Sequence, residues 1–442
     1  MLTFLEKIFD LKKHQTCLKQ EFIGGFTTFV TMSYIIFVQP LILSAAGMDK
    51  GAVMTATCLA SALAMLIMAF TANYPFALAP AMGHNVYFVF TVCLGMGLTW
   101  QTALGANFIS GMIFLLISFW GFREKLITAV PESLKNAIAV GIGFLITLIG
   151  LEWSGLVKAD PGTLISLGDL HHPAPLLSLF GLLLMAFLIS KKIKGAIILG
   201  ISANLVLALI FGMTEFQGIT GKIPSLAPTF LKLDIRSALN WEMLGVIFVF
   251  FFLDLFDTVG TLIGLGQQAD FIKNGKIPKA RQALFSDAAG TVAGNLLGTS
   301  TITAYIESST GISSGARTGL ANLVTAGFFL LSLMFYPLVK MVSSPVNING
   351  FSAYPVIAPA LIIVGSFMLK NVRSISWDDF TEAFPAFMTM ILMPLTFSIT
   401  EGISFGFISY TFLKLVTGKI RSVPHLISGF SLLFILRYIF LI

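Results

Sequence analysis

Long apolar runs recur from one end of this chain to the other, and no other feature restricts its fold as much. Residues 24–46, 52–70, 176–190, 244–263 and 320–342 are examples. A helix of about 20 such residues crosses the roughly 30 Å hydrocarbon core of a bilayer. The runs lack the period-two alternation of a membrane-spanning barrel. Charged residues make up 11% of the chain, far below the about 25% of soluble domains. The chain therefore reads as an all-α polytopic membrane protein. Its three cysteines, Cys17, Cys58 and Cys93, have no metal or redox spacing. The sequence carries no nucleotide-binding loop and no cluster of metal ligands, so no cofactor, metal or ATP drive is expected, and no enzyme activity.

Lys and Arg cluster at 7–19, at Arg123 and Lys125, at 191–194, 273–281, Arg317, 370–373 and 414–421, and the turns between these clusters are nearly free of them. Basic loops are retained on the cytoplasmic side. The alternation thus predicts a cytoplasmic N-terminus and about fourteen segments, starting near residues 22, 52, 79, 100, 133, 175, 195, 243, 281, 301, 318, 355, 384 and 402. The net charge of +6 is the same asymmetry and does not point to nucleic acid. Residues 1–21 carry no cleavage site and read as an amphipathic surface helix, with Leu2, Leu5, Ile8 and Phe9 toward lipid and Lys7, Lys12, Lys13 and Lys19 toward headgroups. Residues 426–442 read either as an interfacial helix or as an extra span.

Two segments are abnormal. ANYPFALAPAMGHNVYFVF (72–90) contains Pro75, Pro80 and Gly83, and GTSTITAYIESSTGISSGARTGL (298–320) sets Gly, Ser and Thr around Glu307. Broken backbone at membrane depth must be buried in protein or line a wet cavity. The two are third in their respective halves, the pairing that marks a transporter site between inverted repeats. Half-helices starting near Met82 and Ala304 would direct backbone N–H groups at the midplane. The run FFLDLFDTVGTLIG (251–264) adds Asp254 and Asp257. An ionised carboxylate at the bilayer centre costs about 2.5–3.5 kcal/mol even on lenient scales. Three residues apart, the two share one helix face.

PFALAPAMGHNVYF, DLFDTVGTLIG and TSTITAYIESSTGISSGARTGL resemble the nucleobase–ascorbate transporters, specifically their AzgA-like purine branch, from about Phe22 to Gly418. The resemblance implies a 7+7 inverted repeat with core and gate domains and with segments 3 and 10 broken. Its divisions would be 1–21 N-terminus, 22–121 core, 122–242 gate, 243–342 core, 343–418 gate and 419–442 C-terminal segment. It implies a proton-coupled purine importer of the elevator type in the plasma membrane, working as a homodimer through its gate domains. Substrate-binding positions would be Asn85, Asp254, Asp257 and Glu307.

The residue chemistry fits a base. A carboxylate accepts two adjacent N–H bonds, Asn85 both donates and accepts, and backbone N–H groups near Val86 and Ala304 suit acceptor atoms. Phe88, Phe251 or Tyr305 would stack on the ring. Two like charges in a poorly solvated site disfavour joint ionisation, which makes Asp254, Asp257 and Glu307 candidates for proton coupling, with Asp257 and Glu307 foremost. His84 stands where members of the family that the chain resembles usually carry an apolar residue, and adds a titratable donor and acceptor. Each residue also has a structural reading: the aspartates bonded to hydroxyls, Glu307 bracing its half-helix, Asn85 bridging broken backbone. Asp287 is expected to bond neighbouring helices and Arg317 to anchor a cytoplasmic end. Two alternatives remain: an anion transporter on the same fold, or a permease for a related base such as xanthine.

Overall fold

The computed structural model describes residues 2–120, 130–241, 243–271, 277–348 and 350–440. Arg123, Lys125, Lys273 and Lys276, and the division expected at 121/122, lie outside them. Among the described residues, fourteen segments follow the predicted order. The first is α2 (Leu18–Met32) with α3 (Ile35–Ser44), and the second is α4 (Lys50–Thr71). The third holds strand β1 (Leu78–Pro80), helix α5 (Met82–Val86) and a π-helix over Tyr87–Gly95. Then come α6 (Trp100–Trp120), α7 (Glu132–Trp153), a hairpin of β2 (Val157–Asp160) and β3 (Leu164–Leu167), α8 (Pro173–Ser190) and α9 (Ala196–Ile210). A short helix α10 (Ile235–Ala238) precedes the second half, which opens with α11 (Met243–Gln268) and α12 (Ala280–Leu297). Strand β4 (Ile302–Ala304) and α13 (Ser308–Ser313) form the tenth segment, and α14 (Leu320–Ser332) with α15 (Tyr336–Val342) the eleventh. The last three are α16 (Ala358–Met368), α17 (Phe380–Thr396) and α18 (Ile399–Val416).

These helices pack in two groups. In one, α12 and α14 pack on α4, α12 and α11 on α6, and α14 on α2. In the other, α16 and α17 pack on α7, α17 on α18, and α8 on α9 and α16. The first group holds the segments expected to form a core and the second those expected to form a gate. Contacts that cross between them include Lys194 Nζ to Ser314 Oγ at 2.6 Å and Thr400 Oγ1 to Tyr87 Oη at 3.3 Å.

The N-terminus differs from expectation. After α1 (Leu2–Ile8), Phe9 and Leu11 are buried against Ala69 and Leu320, and Asn73 Nδ2 donates to the Phe9 carbonyl at 3.0 Å. Ile8 stays exposed. Phe9 and Leu11 therefore dock on the ends of α4 and α14 rather than on lipid. The C-terminal stretch forms α19 (His425–Phe440). It runs antiparallel to α18: Ser431 bonds Thr411 and Phe407, and farther along Arg437 Nη1 meets Glu401 Oε1 at 3.0 Å. Phe430 stacks on Phe248 of α11. The helix thus lies along most of α18 and reaches the core.

Candidate functional site

The site begins where β1 and β4 meet. They pair antiparallel with Leu78 opposite Ala304, Ala79 opposite Thr303 and Pro80 opposite Ile302. Pro80 pushes Ala79 toward extended backbone and, lacking an N–H, ends its strand. β-branched Thr299, Thr301, Ile302 and Thr303 favour the same conformation on the other side. Gly298, at φ +97°, turns the chain out of α12, and a Cβ there would stand 2.2 Å from Thr229 Cβ.

Every polar backbone group stranded at this depth needs a partner, and side chains provide many of them. Thr291 Oγ1 donates to the Ile302 carbonyl at 2.9 Å and accepts from its N–H at 3.1 Å. Ser308 Oγ accepts from the Ala77 N–H at 2.9 Å, and Asn322 Nδ2 donates to the Tyr74 and Phe76 carbonyls. The Ala81 N–H reaches the Thr301 carbonyl and the Tyr305 N–H the Ala77 carbonyl, both at 2.9 Å. Asp287 accepts from the Ala304 N–H at 3.1 Å and from Thr258 Oγ1 at 2.8 Å. The Ala304 amide is therefore already engaged, and Asp287 joins α12 to β4 and α11.

The sequence-predicted residues fall into two sets. Asp257 and Glu307 lie where side chains reach open space. Asp257 is solvent-accessible on α11, and Gly260, one turn on, has no heavy atom within 4 Å of where a Cβ would stand. Gly264, another turn along, would approach Ile306 Cδ1 at 3.7 Å, and Ile306 is 52% exposed. The opening therefore runs along one face of α11 toward its Gln268 end, beside the tenth segment. Lys135 of α7 sits 5.2 Å from the Phe256 ring centroid, which puts the gate near this part of α11. Glu307 is half-buried within electrostatic reach of Asp257, with Tyr305 near both. Tyr34 Oη donates to Glu307 Oε1 at 2.8 Å.

The second set is buried. Asp254 is 1% exposed and does not reach the opening. Asn85 is fully buried and exchanges hydrogen bonds with the Gln39 amide while accepting from Ser300 Oγ. Gln39 Nε2 also donates to Thr299 Oγ1 and Ser300 Oγ, so α3 ties both broken segments together. Tyr305 Oη donates to the Pro80 carbonyl. Val86 lies buried at the end of α5, where the π-helix begins; such π-turns concentrate at functional sites. Phe88 packs on Phe250 and Phe251 on Phe114. His84 is 2% exposed, and neither ring nitrogen has a hydrogen-bond partner among the described residues. Among the described residues no group of three or more His, Cys, Asp or Glu is placed to hold a metal.

Tyr34 and Gln39 were missed by sequence reasoning. The available signal was the polar series Thr31, Ser33, Tyr34 and Gln39 inside an apolar span.

A family described as Xan_ur_permease, a permease family, matches residues 19–405. The guanine/hypoxanthine permease PbuG of Bacillus subtilis (strain 168) is 43% identical over 449 residues, covering 99% of this chain and 100% of the relative. The adenine permease AdeP of Escherichia coli (strain K12) is 42% identical over 438 residues, covering 99% and 96%. Among solved structures, the transmembrane domain of the cyanobacterial bicarbonate transporter BicA superposes with a TM-score of 0.65 at 16% identity, covering 87% of this chain and 97% of that one. That likeness establishes the seven-plus-seven fold, and a match to the family over most of the chain, joined by relatives above 40% identity from end to end, places this multi-pass membrane protein in the Xan_ur_permease family of permeases.

Proposed function

We propose that this permease imports purine nucleobases together with a proton, by elevator-type alternating access of the core against the gate. The observation that carries the reading is the opening beside Gly260, bounded by Asp257 and Glu307. A neutral purine offers adjacent N–H donors, and each carboxylate oxygen has lone pairs to receive them. Relatives named as guanine/hypoxanthine and adenine permeases support the same class. Asn85, Tyr305 and Asp254 would hold the shape of the site from behind. His84, Val86 and the backbone around Ala304 would complete its wall. Two neighbouring carboxylates also suit proton coupling, because joint ionisation of close, poorly solvated acids is unfavourable.

The basic residues at 7–19, 191–194 and 414–421 support a cytoplasmic N-terminus in the plasma membrane. With that orientation the opening faces the cytoplasm. Outward-facing Leu183, Phe187, Val206 and Ile210 on α8 and α9 give the gate an apolar face for lipid or for a second copy. Acids in the site disfavour free anions, which separates this reading from anion transport on the same fold. Uptake of radiolabelled hypoxanthine into cells lacking their own purine permeases tests it. Competition by guanine, hypoxanthine, adenine and xanthine is expected, with none by bicarbonate or sulfate. Inhibition by the anions and not by the bases would overturn the assignment.

A further inference from the structure

Glu307 has a fixed partner in the first segment. Helix α2 ends at Met32 and α3 begins at Ile35. Between them the backbone tightens, with the Ile36 N–H on the Ser33 carbonyl and the Phe37 N–H on the Tyr34 carbonyl, both at 3.1 Å. These three-residue bonds mark a 3₁₀ turn inside a helix. The turn aims Tyr34, 2% exposed, at Glu307 Oε1. One helical turn away the two segments meet again, with Thr31 Oγ1 3.0 Å from Thr310 Oγ1. Residues 31 and 34 thus match 307 and 310 as two rungs of one contact. Glu307 stands at the N-cap of α13 yet makes no side-chain cap bond to it, so capping does not account for its orientation.

We propose that Tyr34 is the positioning residue of the substrate-binding carboxylate, an inference that rests on the reading of Glu307 given above. The terminal torsion of a glutamate is broad and roughly two-fold, so an unheld carboxylate presents its oxygens over a wide range of planes. A hydroxyl fixed on Oε1 sets that plane. It also uses only one of the acceptor sites on that oxygen, leaving the other and both on Oε2 for adjacent N–H groups of the base. The buried phenol ring keeps water from taking the same place. Tyr34 would not touch the base; it would act through Glu307.

Equilibrium binding of radiolabelled hypoxanthine to purified protein tests this through four proteins: wild type, Tyr34→Phe, Glu307→Gln and the double variant. Affinity does not depend on how much protein is recovered, so a reduced yield leaves the result readable. Tyr34→Phe keeps the ring and is expected to weaken binding about tenfold, the effect of losing one hydrogen bond to a charged group. Glu307→Gln is expected to weaken it more, and the double variant to bind no worse than Glu307→Gln alone, since the phenol acts only through the carboxylate. Thr31→Val, which removes the neighbouring rung, should leave affinity unchanged. Wild-type affinity in Tyr34→Phe, or losses that simply add in the double variant, would overturn the proposal while leaving Glu307 as a binding residue. Wild-type affinity in Glu307→Gln would instead overturn the reading of Glu307 itself.

Discussion

Asp257 is exposed on α11 near Glu307 of the tenth segment, and in the proposed site a solvated carboxylate there would avoid most of the cost of one in hydrocarbon. Asp254, one turn earlier on the same helix, is buried, and the two therefore separate by experiment. Asp257→Asn is expected to abolish gradient-driven accumulation while the protein still inserts, because the amide is nearly isosteric and needs no counter-charge. Asp254→Asn should be milder. Surface abundance measured beside uptake distinguishes a transport defect from a folding defect, and full specific activity in Asp257→Asn would end its role in the cycle. Gly260→Ala probes the same space from the other side. Alanine improves helix propensity by up to about 1 kcal/mol and meets no neighbour, so the fold should hold while the added methyl intrudes on the bound base. A raised KM with normal surface abundance is the expected outcome; an unchanged KM would mean the base does not lie against that face. At this scale the acids were legible in the sequence because charge is rare in such runs. Tyr34 and Gln39 were not, because a neutral polar side chain in a helix can satisfy itself locally, as Thr31 does on the Thr27 and Thr28 carbonyls. Only the third dimension brings Tyr34 to Glu307.

Element by element, the breaks were easier to read than what mends them. Pro75, Pro80 and Gly83 announce that the third segment cannot be one helix, and the Ser/Thr-rich run 298–310 announces the same of the tenth. The three-residue ladder between β1 and β4 was not legible, since strands that short carry no periodicity and pair only with a distant partner. The hairpin of β5 (Val346–Ile348) and β6 (Phe351–Ala353) went unnoticed too, although the sequence between them holds an Asn-Gly pair, a dipeptide that favours hairpins, and Gly350 has φ +90°. The C-terminal stretch stayed undecided because an apolar run of that length suits either a surface or a span; its place beside α18 depends on Glu401 finding Arg437 and Tyr438. Where α13 crosses α2, Gly311 makes the contact possible. A Cβ there would stand 2.0 Å from Thr28 Oγ1 and 2.6 Å from the Gly24 carbonyl oxygen. Gly311→Ala should therefore push the half-helix off α2 and lower the unfolding midpoint of the purified protein by several degrees, overpacking of this kind costing about 1–3 kcal/mol. An unaltered midpoint would show that the two helices have slack.

In the whole molecule, the two packing groups of helices follow from which apolar faces bury one another, and the order of the fourteen segments followed from apolar runs and basic loops alone. Their packing partners did not, because many extensive pairings join segments from opposite halves of the chain, such as α4 with α12 and α14 or α7 with α16 and α17. Hydropathy carries no record of such pairings. Contacts that cross between the groups include side-chain bonds at 2.6 and 3.3 Å and the aromatic pairs Phe430–Phe248, Phe252–Phe407 and Phe90–Phe397; the proposed cycle would exchange these as one group moves against the other, with the broken segments riding in the first. Motion of that kind transports uphill only if it is coupled to a second flux, and in the proposed cycle that flux is the proton. Accumulation of radiolabelled hypoxanthine in sodium-free proteoliposomes under an imposed inward proton gradient tests this most directly. The account predicts accumulation above the external concentration that collapses when a protonophore is added, and none for Asp257→Asn; accumulation that ignores the proton gradient, or that appears only with a sodium gradient, would contradict it.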